Sequence, residues 1–228
     1  MEIVRGIFND RKNEVDLYFK LIVYLDEIKK TDGEDWILYN KDIIKIVRAN
    51  ALLMLYNLVE STLVNGIEEV YNVFKTEQIT YSQVSREIQD IWFNYKFSNA
   101  YDKNAQFTTY KKTAEDIIFS ILNQEPLALD RKATGISGNL DAQIIRDICR
   151  KHGIIFNTPS DCHGGNHLTI VKEQRNQLAH GTLSFVECGR DFTVNDLVEI
   201  KNEVENFLIG FIDAIELYYD NKGYLLNS

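Results

Sequence analysis

Val171-Lys-Glu-Gln-Arg175-Asn176-Gln-Leu178-Ala179-His180-Gly181-Thr182 has the apolar rhythm of a helix, closed by a glycine of the kind that commonly ends one. On an ideal helix turning about 100° per residue, Leu168, Val171, Leu178 and Ala179 share one sector, and Arg175 falls in its middle. Asn176 and His180, four apart, stack on the neighbouring flank. A guanidinium keeps its charge in a protein. On an apolar stripe it must therefore meet an anion, a polar cavity or a second subunit.

A counter-charge is sought in the longest uninterrupted helical pattern, about Asp42 to Lys75, which has no proline and a single glycine, Gly66. Leu53, Tyr56, Leu63, Val64 and Ile67 form its main apolar sector, and Glu60 projects near the centre. Two ionisable residues on two apolar stripes are reconciled most simply if the stripes face each other. We therefore expect Glu60 to pair with Arg175. Such a pair could serve only to fix helix register, and losing one partner would cost about 3–5 kcal/mol.

The remaining segments also read as helices: Arg11 to Lys30, with Val15, Phe19, Ile22, Leu25 and Ile28 on one side and a polar break at residues 31–35; Tyr81 to Phe97, with Thr80 and Gln83 as a capping box and Ile88, Ile91, Trp92 and Tyr95 as core; and Thr109 to Asn123. Leu140 to Lys151 follows a Gly135–Asn139 loop, with Asn139 as cap and Gly153 as stop. Leu183 to Phe192 reads as a turn or hairpin. Thr193 and Asp196 then cap a final helix to about Tyr219, its apolar stripe in the core and its carboxylates in solvent. With two prolines and no sustained period-2 alternation, the chain is expected to be mostly α.

The 228 residues suit one domain, 1–228, with a core at about 42–95 and 167–220 and a central insertion at about 96–166. A net charge of −9 argues against a general electrostatic grip on nucleic acid. The 187–220 stretch carries nine acidic and two basic residues, whereas 96–112 and 131–151 are mildly basic. Any nucleic-acid partner would be engaged locally. Three cysteines without a CxxC pair, no signal-peptide pattern and no membrane-length apolar run lead us to expect a cytoplasmic protein, not a membrane one. Cys162, His163 and His167 match no common zinc spacing, so neither metal nor cofactor is expected.

Arg175-Asn176-x-x-x-His180 resembles the R-x4-6-H signature of the HEPN superfamily, including the asparagine that commonly follows the arginine. Tyr56-Asn-Leu-Val-Glu60-Ser61, Ser137-Gly-Asn-Leu-Asp-Ala-Gln and the text from Arg175 to Gly189 look like a prokaryotic HEPN-like nuclease subfamily, over about residues 42 to 220. The resemblance implies an all-α, up-and-down helical bundle that forms a homodimer, with two R-x4-H helices at a shared cleft. Many such proteins are metal-independent endoribonucleases of toxin–antitoxin or phage-defence systems, with antitoxin or defence-system partners. Others are non-catalytic modules that bind a nucleotide or partner protein. The tyrosine that one toxin branch carries two residues after the histidine is replaced here by Thr182.

The residue chemistry points the same way. Metal-free RNA cleavage needs a base for the 2′-hydroxyl, an acid for the leaving 5′-oxygen and positive charge at the phosphate. Histidine is the side chain suited to proton transfer near neutral pH, so His180 can supply it, and Arg175 offers a fixed fork of donors. Asn176 can hold the phosphate or orient the histidine. Glu60 and Ser61 are expected to position Arg175.

Overall fold

The computed structural model describes residues 1–30, 41–98 and 107–226, the side chains of 28–30 excepted. The expected break at 31–35 and the place of Ile28 on its stripe lie outside the described residues, as does part of the basic 96–112 stretch. Eight α-helices are described: α1 (Glu2–Lys30), α2 (Lys41–Thr76), α3 (Arg86–Ser98), α4 (Phe107–Leu122), α5 (Ala142–His152), α6 (Asn166–Ala179), α7 (Phe185–Arg190) and α8 (Val194–Asp220). Short 3-10 turns lie at Tyr81–Gln83, Arg131–Thr134 and Ser160–Gly165. Among the described residues pairing is limited to two isolated bridges, Thr80 with Pro126 and Val84 with Leu225. The fold is an all-α helical bundle.

The axis of the bundle is α2. Its buried residues are not confined to the sector seen in sequence: Leu52, Leu55, Leu58 and Val59 are as enclosed as Tyr56, Leu63 and Ile67. A helix apolar all round belongs inside a fold, and α2 accordingly touches α1, α6, α7 and α8. Two glycines control how closely neighbours approach. A Cβ on Gly66 would stand 3.1 Å from the Phe211 ring of α8, and one on Gly189 of α7 only 1.8 Å from the Lys45 carbonyl oxygen. That α7–α2 contact is therefore backbone against backbone.

The helix α1 begins nine residues earlier than Arg11, because Val4 and Phe8 continue the buried series of Val15, Phe19 and Ile22. Charges tie it to α8. Arg5 donates to Glu216 at 2.9 Å, and Lys12 and Lys201 each bridge Asp16 and Glu205. Two carboxylates of α8 thus depart from the solvated face expected of them: Glu203 and Glu205 are only 4% and 5% exposed.

Several boundaries move for local reasons. The Thr80–Gln83 capping box exists but launches a single 3-10 turn, since Val84 is extended; α3 starts afterwards at Arg86. Within α3, Ile88 and Trp92 are buried, whereas the Tyr95 hydroxyl reaches out to Asp130 at 2.8 Å. Of the apolar residues of α4 only Ile117 is buried; Ile118, Phe119 and Leu122 are exposed. The 185–190 stretch is a helical turn, not a hairpin, because Ser184 and Glu187 form a capping box. The 96–166 region contributes Leu127, Leu140, Ile145, Ile148 and Cys149 to the main core. Among the described residues no helix is long and apolar enough to cross a membrane.

Candidate active site

Both ends of α6 are fixed from outside the helix. At its start Gly165 has φ +81°, and a Cβ there would lie 2.4 Å from that of Ala142, so the helix begins pressed against the first turn of α5. The buried Glu203 carboxylate accepts the His167 N–H at 3.0 Å, placing negative charge at the positive end of the helix. The same carboxylate contacts His163 Nδ1 at 3.2 Å. His167 Nδ1 is 3.1 Å away, without hydrogen-bond alignment. His163 and His167, which lack zinc-ligand spacing, are thus both gathered at Glu203. At the other end the His180 N–H returns to the Asn176 carbonyl at 3.0 Å, and Gly181 turns the chain away at φ +68°.

Arg175 lies over an aromatic ring. Its Cζ is 4.6 Å from the centroid of Tyr56, a cation–π arrangement. Nη1 donates to Asn176 Oδ1 at 2.9 Å, and Asn176 Nδ2 donates onward to Asn139 Oδ1 at 2.7 Å. Beneath them the Tyr56 hydroxyl donates to the Gly138 carbonyl and accepts the Leu140 N–H at 3.3 Å. Burial pushes this phenol above its ordinary pKa, which keeps it a neutral donor. Next after Leu140, Asp141 accepts from Ile144 N–H as the cap of α5 and from Lys172 Nζ at 2.7 Å. Its burial would raise the carboxyl pKa, but the Lys172 and backbone donors outweigh that and lower it. Residues 138–141 are therefore strapped to α2 and α6 from both sides.

The expected pairing of Glu60 with Arg175 is not formed. Glu60 Oε1 accepts from Arg131 Nη2 at 2.9 Å, and no carboxylate among the described residues lies within 4.0 Å of Arg175. Arg131 comes from an irregular stretch that a comparison of two helical stripes could not see. Tyr56 supplies the support expected of Glu60. Ser61 does not reach the arginine either; its Oγ is buried without a hydrogen-bond partner. Ala179 is exposed where core was expected, and Asn139 is not the α5 cap because Asp141 fills that role.

The arrangement leaves three groups available. Arg175 is half-buried with one of its five N–H donors engaged. Asn176 beside it is half-buried, and the His180 ring is exposed with no hydrogen bond or ion pair to the described residues. The Arg175–Asn176–His180 edge is thus a cationic, hydrogen-bonding rim at the C-terminal end of α6. Tyr56, Asn139, Asp141 and Lys172 complete its support. In sequence Tyr56, Asn139 and Asp141 fall in the quoted stretches around Tyr56 and Ser137-Gly-Asn-Leu-Asp, and Lys172 in the opening stretch, but nothing in the spacing joined them. A cleft of about 440 Å³ between α3, the 131–134 turn and the end of α5 contains none of the three. Among the described residues no His, Cys, Asp and Glu group could hold a metal ion.

A helical bundle whose penultimate long helix presents Arg-Asn-x-x-x-His at its end defines the HEPN class. The chain belongs to that family: the model described as MAE_28990-like HEPN matches residues 7–224, so all of α1 but its first turn falls within the matched region. No curated protein and no solved structure matches.

Proposed function

We propose that this protein is a metal-independent endoribonuclease that works as a homodimer, with the α6 ends of two copies facing one RNA strand. The observation that carries this reading is an arginine held over Tyr56 with no carboxylate among the described residues neutralising it. A pinned, unneutralised guanidinium beside a free imidazole suits a phosphodiester. In the reaction His180 of one copy takes the proton of the 2′-hydroxyl, whose oxygen attacks the adjacent phosphorus. The bond from phosphorus to the 5′-oxygen breaks, and His180 of the partner subunit protonates that oxygen. The products are a 2′,3′-cyclic phosphate and a 5′-hydroxyl. Arg175 neutralises the pentacoordinate phosphate, and Asn176, fixed between Arg175 and Asn139, sets its orientation.

The physiological role consistent with this chemistry is a toxin or phage-defence effector. The test incubates purified protein with total RNA in chelator. His180→Ala should cut the rate roughly 100- to 10,000-fold, and Arg175→Ala roughly 100- to 1,000-fold. RNA that stays intact with the parent protein, or is cleaved only when metal is added, overturns the reading. Intact RNA together with saturable nucleotide binding would instead mark a non-catalytic HEPN module.

A further inference from the structure

An open cleft of about 420 Å³ runs along α2 from beside Tyr56 to Glu68, about 18 Å further on, and is lined by Arg11 of α1, by Asn57, Glu60, Ser61 and Glu68 of α2, and by Arg131. Its volume lies within the ~300–1,000 Å³ common for small-ligand sites. The charges of the two arginines and two glutamates cancel, so the cleft has no excess attraction for a bare phosphate. Three groups in it are unspent. Arg11 and Glu68 have no ion-pair partner among the described residues, and Ser61 Oγ is buried without a hydrogen bond. A free guanidinium, a free carboxylate and an orphan hydroxyl in one neutral cleft call for a flat neutral group with donors on one edge and acceptors on another.

We propose that this cleft is a base-reading subsite for guanine in the RNA strand cleaved at Arg175 and His180. Guanine presents O6 and N7 to a guanidinium fork and its N1–H and N2–H to a carboxylate. Arg11 faces the first edge and Glu68 the second, with Ser61 Oγ bonding whichever polar atom reaches it. Arg131, held by Glu60 at 2.9 Å with its remaining donors exposed, takes the phosphate between this nucleotide and the scissile one. The assignment rests on the ribonuclease reading for the neighbouring rim.

The experiment measures binding apart from cleavage. Uridine hexamers with 2′-O-methyl riboses, which cannot supply the attacking hydroxyl, carry a single G, A, C or U at a central position. The G probe should bind at least tenfold more tightly than the all-uridine probe. Arg11→Gln, Glu68→Gln and Ser61→Ala should each shrink that ratio to about threefold or less with the melting temperature unchanged. Arg175→Ala should weaken all four probes by a common factor. Equal affinity for the four probes, or a G preference that survives all three cleft substitutions, overturns the subsite. Cleavage of total RNA without base preference would do so while leaving the ribonuclease standing. G-selective binding without cleavage would leave the subsite and remove the ribonuclease.

Discussion

At the scale of single residues, Tyr56 joins support of the guanidinium to support of the loop. Its ring carries Arg175 and its hydroxyl holds the 138–140 backbone, so the two functions separate by mutation. Tyr56→Phe keeps the ring and should cost about 1–2 kcal/mol of stability, read by urea unfolding, with a modest loss of RNA cleavage. Tyr56→Leu also releases the guanidinium, and cleavage should fall further than stability does. Equal cleavage by the two variants would deny the ring its role. His152 offers a different test. Its Nδ1 is 2.7 Å from the Ile148 carbonyl, which can only accept, so that nitrogen carries the proton and Nε2 accepts from Tyr71 at 2.6 Å. Burial drives this imidazole from 6.5 down to about 4. Between those values the unfolded chain binds a proton that the folded one refuses, so stability falls as pH drops. The full effect is about 3 kcal/mol, roughly 2 of it between pH 7 and pH 5. In His152→Gln, denaturant titrations at the two pH values should lose that part of the slope.

At the scale of elements, the clearest predictions concern glycines with opposite surroundings. Gly189→Ala drives a Cβ into the Lys45 carbonyl and should cost about 1–3 kcal/mol or more. Gly6→Ala adds a methyl to an exposed face of α1 with nothing within 4 Å, and should stabilise by up to about 1 kcal/mol. Thermal unfolding of the two variants should move in opposite directions. The long helices were legible in sequence because periodicity reports burial: α2 and α8 lie close to their expected limits. The Thr193–Asp196 box was legible because it is local, both bonds closing within four residues. What periodicity omits is height along an axis and everything contributed by irregular chain. Arg175 and Glu60 each occupied the right sector of its helix, yet Arg131 and Tyr56 took their places as partners. Tyr56 itself was legible as an apolar residue, but its hydroxyl acts on a loop 82 residues away, and no spacing rule spans that distance.

At the scale of the whole molecule, the bundle closes through charge as well as packing. Asp16 shows the balance: burial alone would raise its pKa, but hydrogen bonds from Lys12 and Lys201 prevail and hold it below the ordinary value. Lys201→Met would leave Asp16 and the buried Glu205 sharing Lys12 alone, and should destabilise the fold by about 1–3 kcal/mol, measured by chemical denaturation. The Asp16 contribution is present above its unfolded value of 3.8 and is lost as pH falls through the lower folded one. It therefore fails at more acidic pH than His152 does. The proposed shared cleft predicts twice the chain mass in solution by light scattering. A strict monomer that still cleaves RNA would require both proton transfers from one copy.

The strap at residues 138–141 also provides a clock. The Leu140 amide is donated to a phenolic hydroxyl instead of a helix carbonyl, so its exchange with deuterated solvent reports the lifting of one loop, not the fraying of a helix. A ligand bridging the loop and the end of α6 would slow that single amide while its helical neighbours kept their rates. The residence time of RNA at the rim could then be read without waiting for any bond to break.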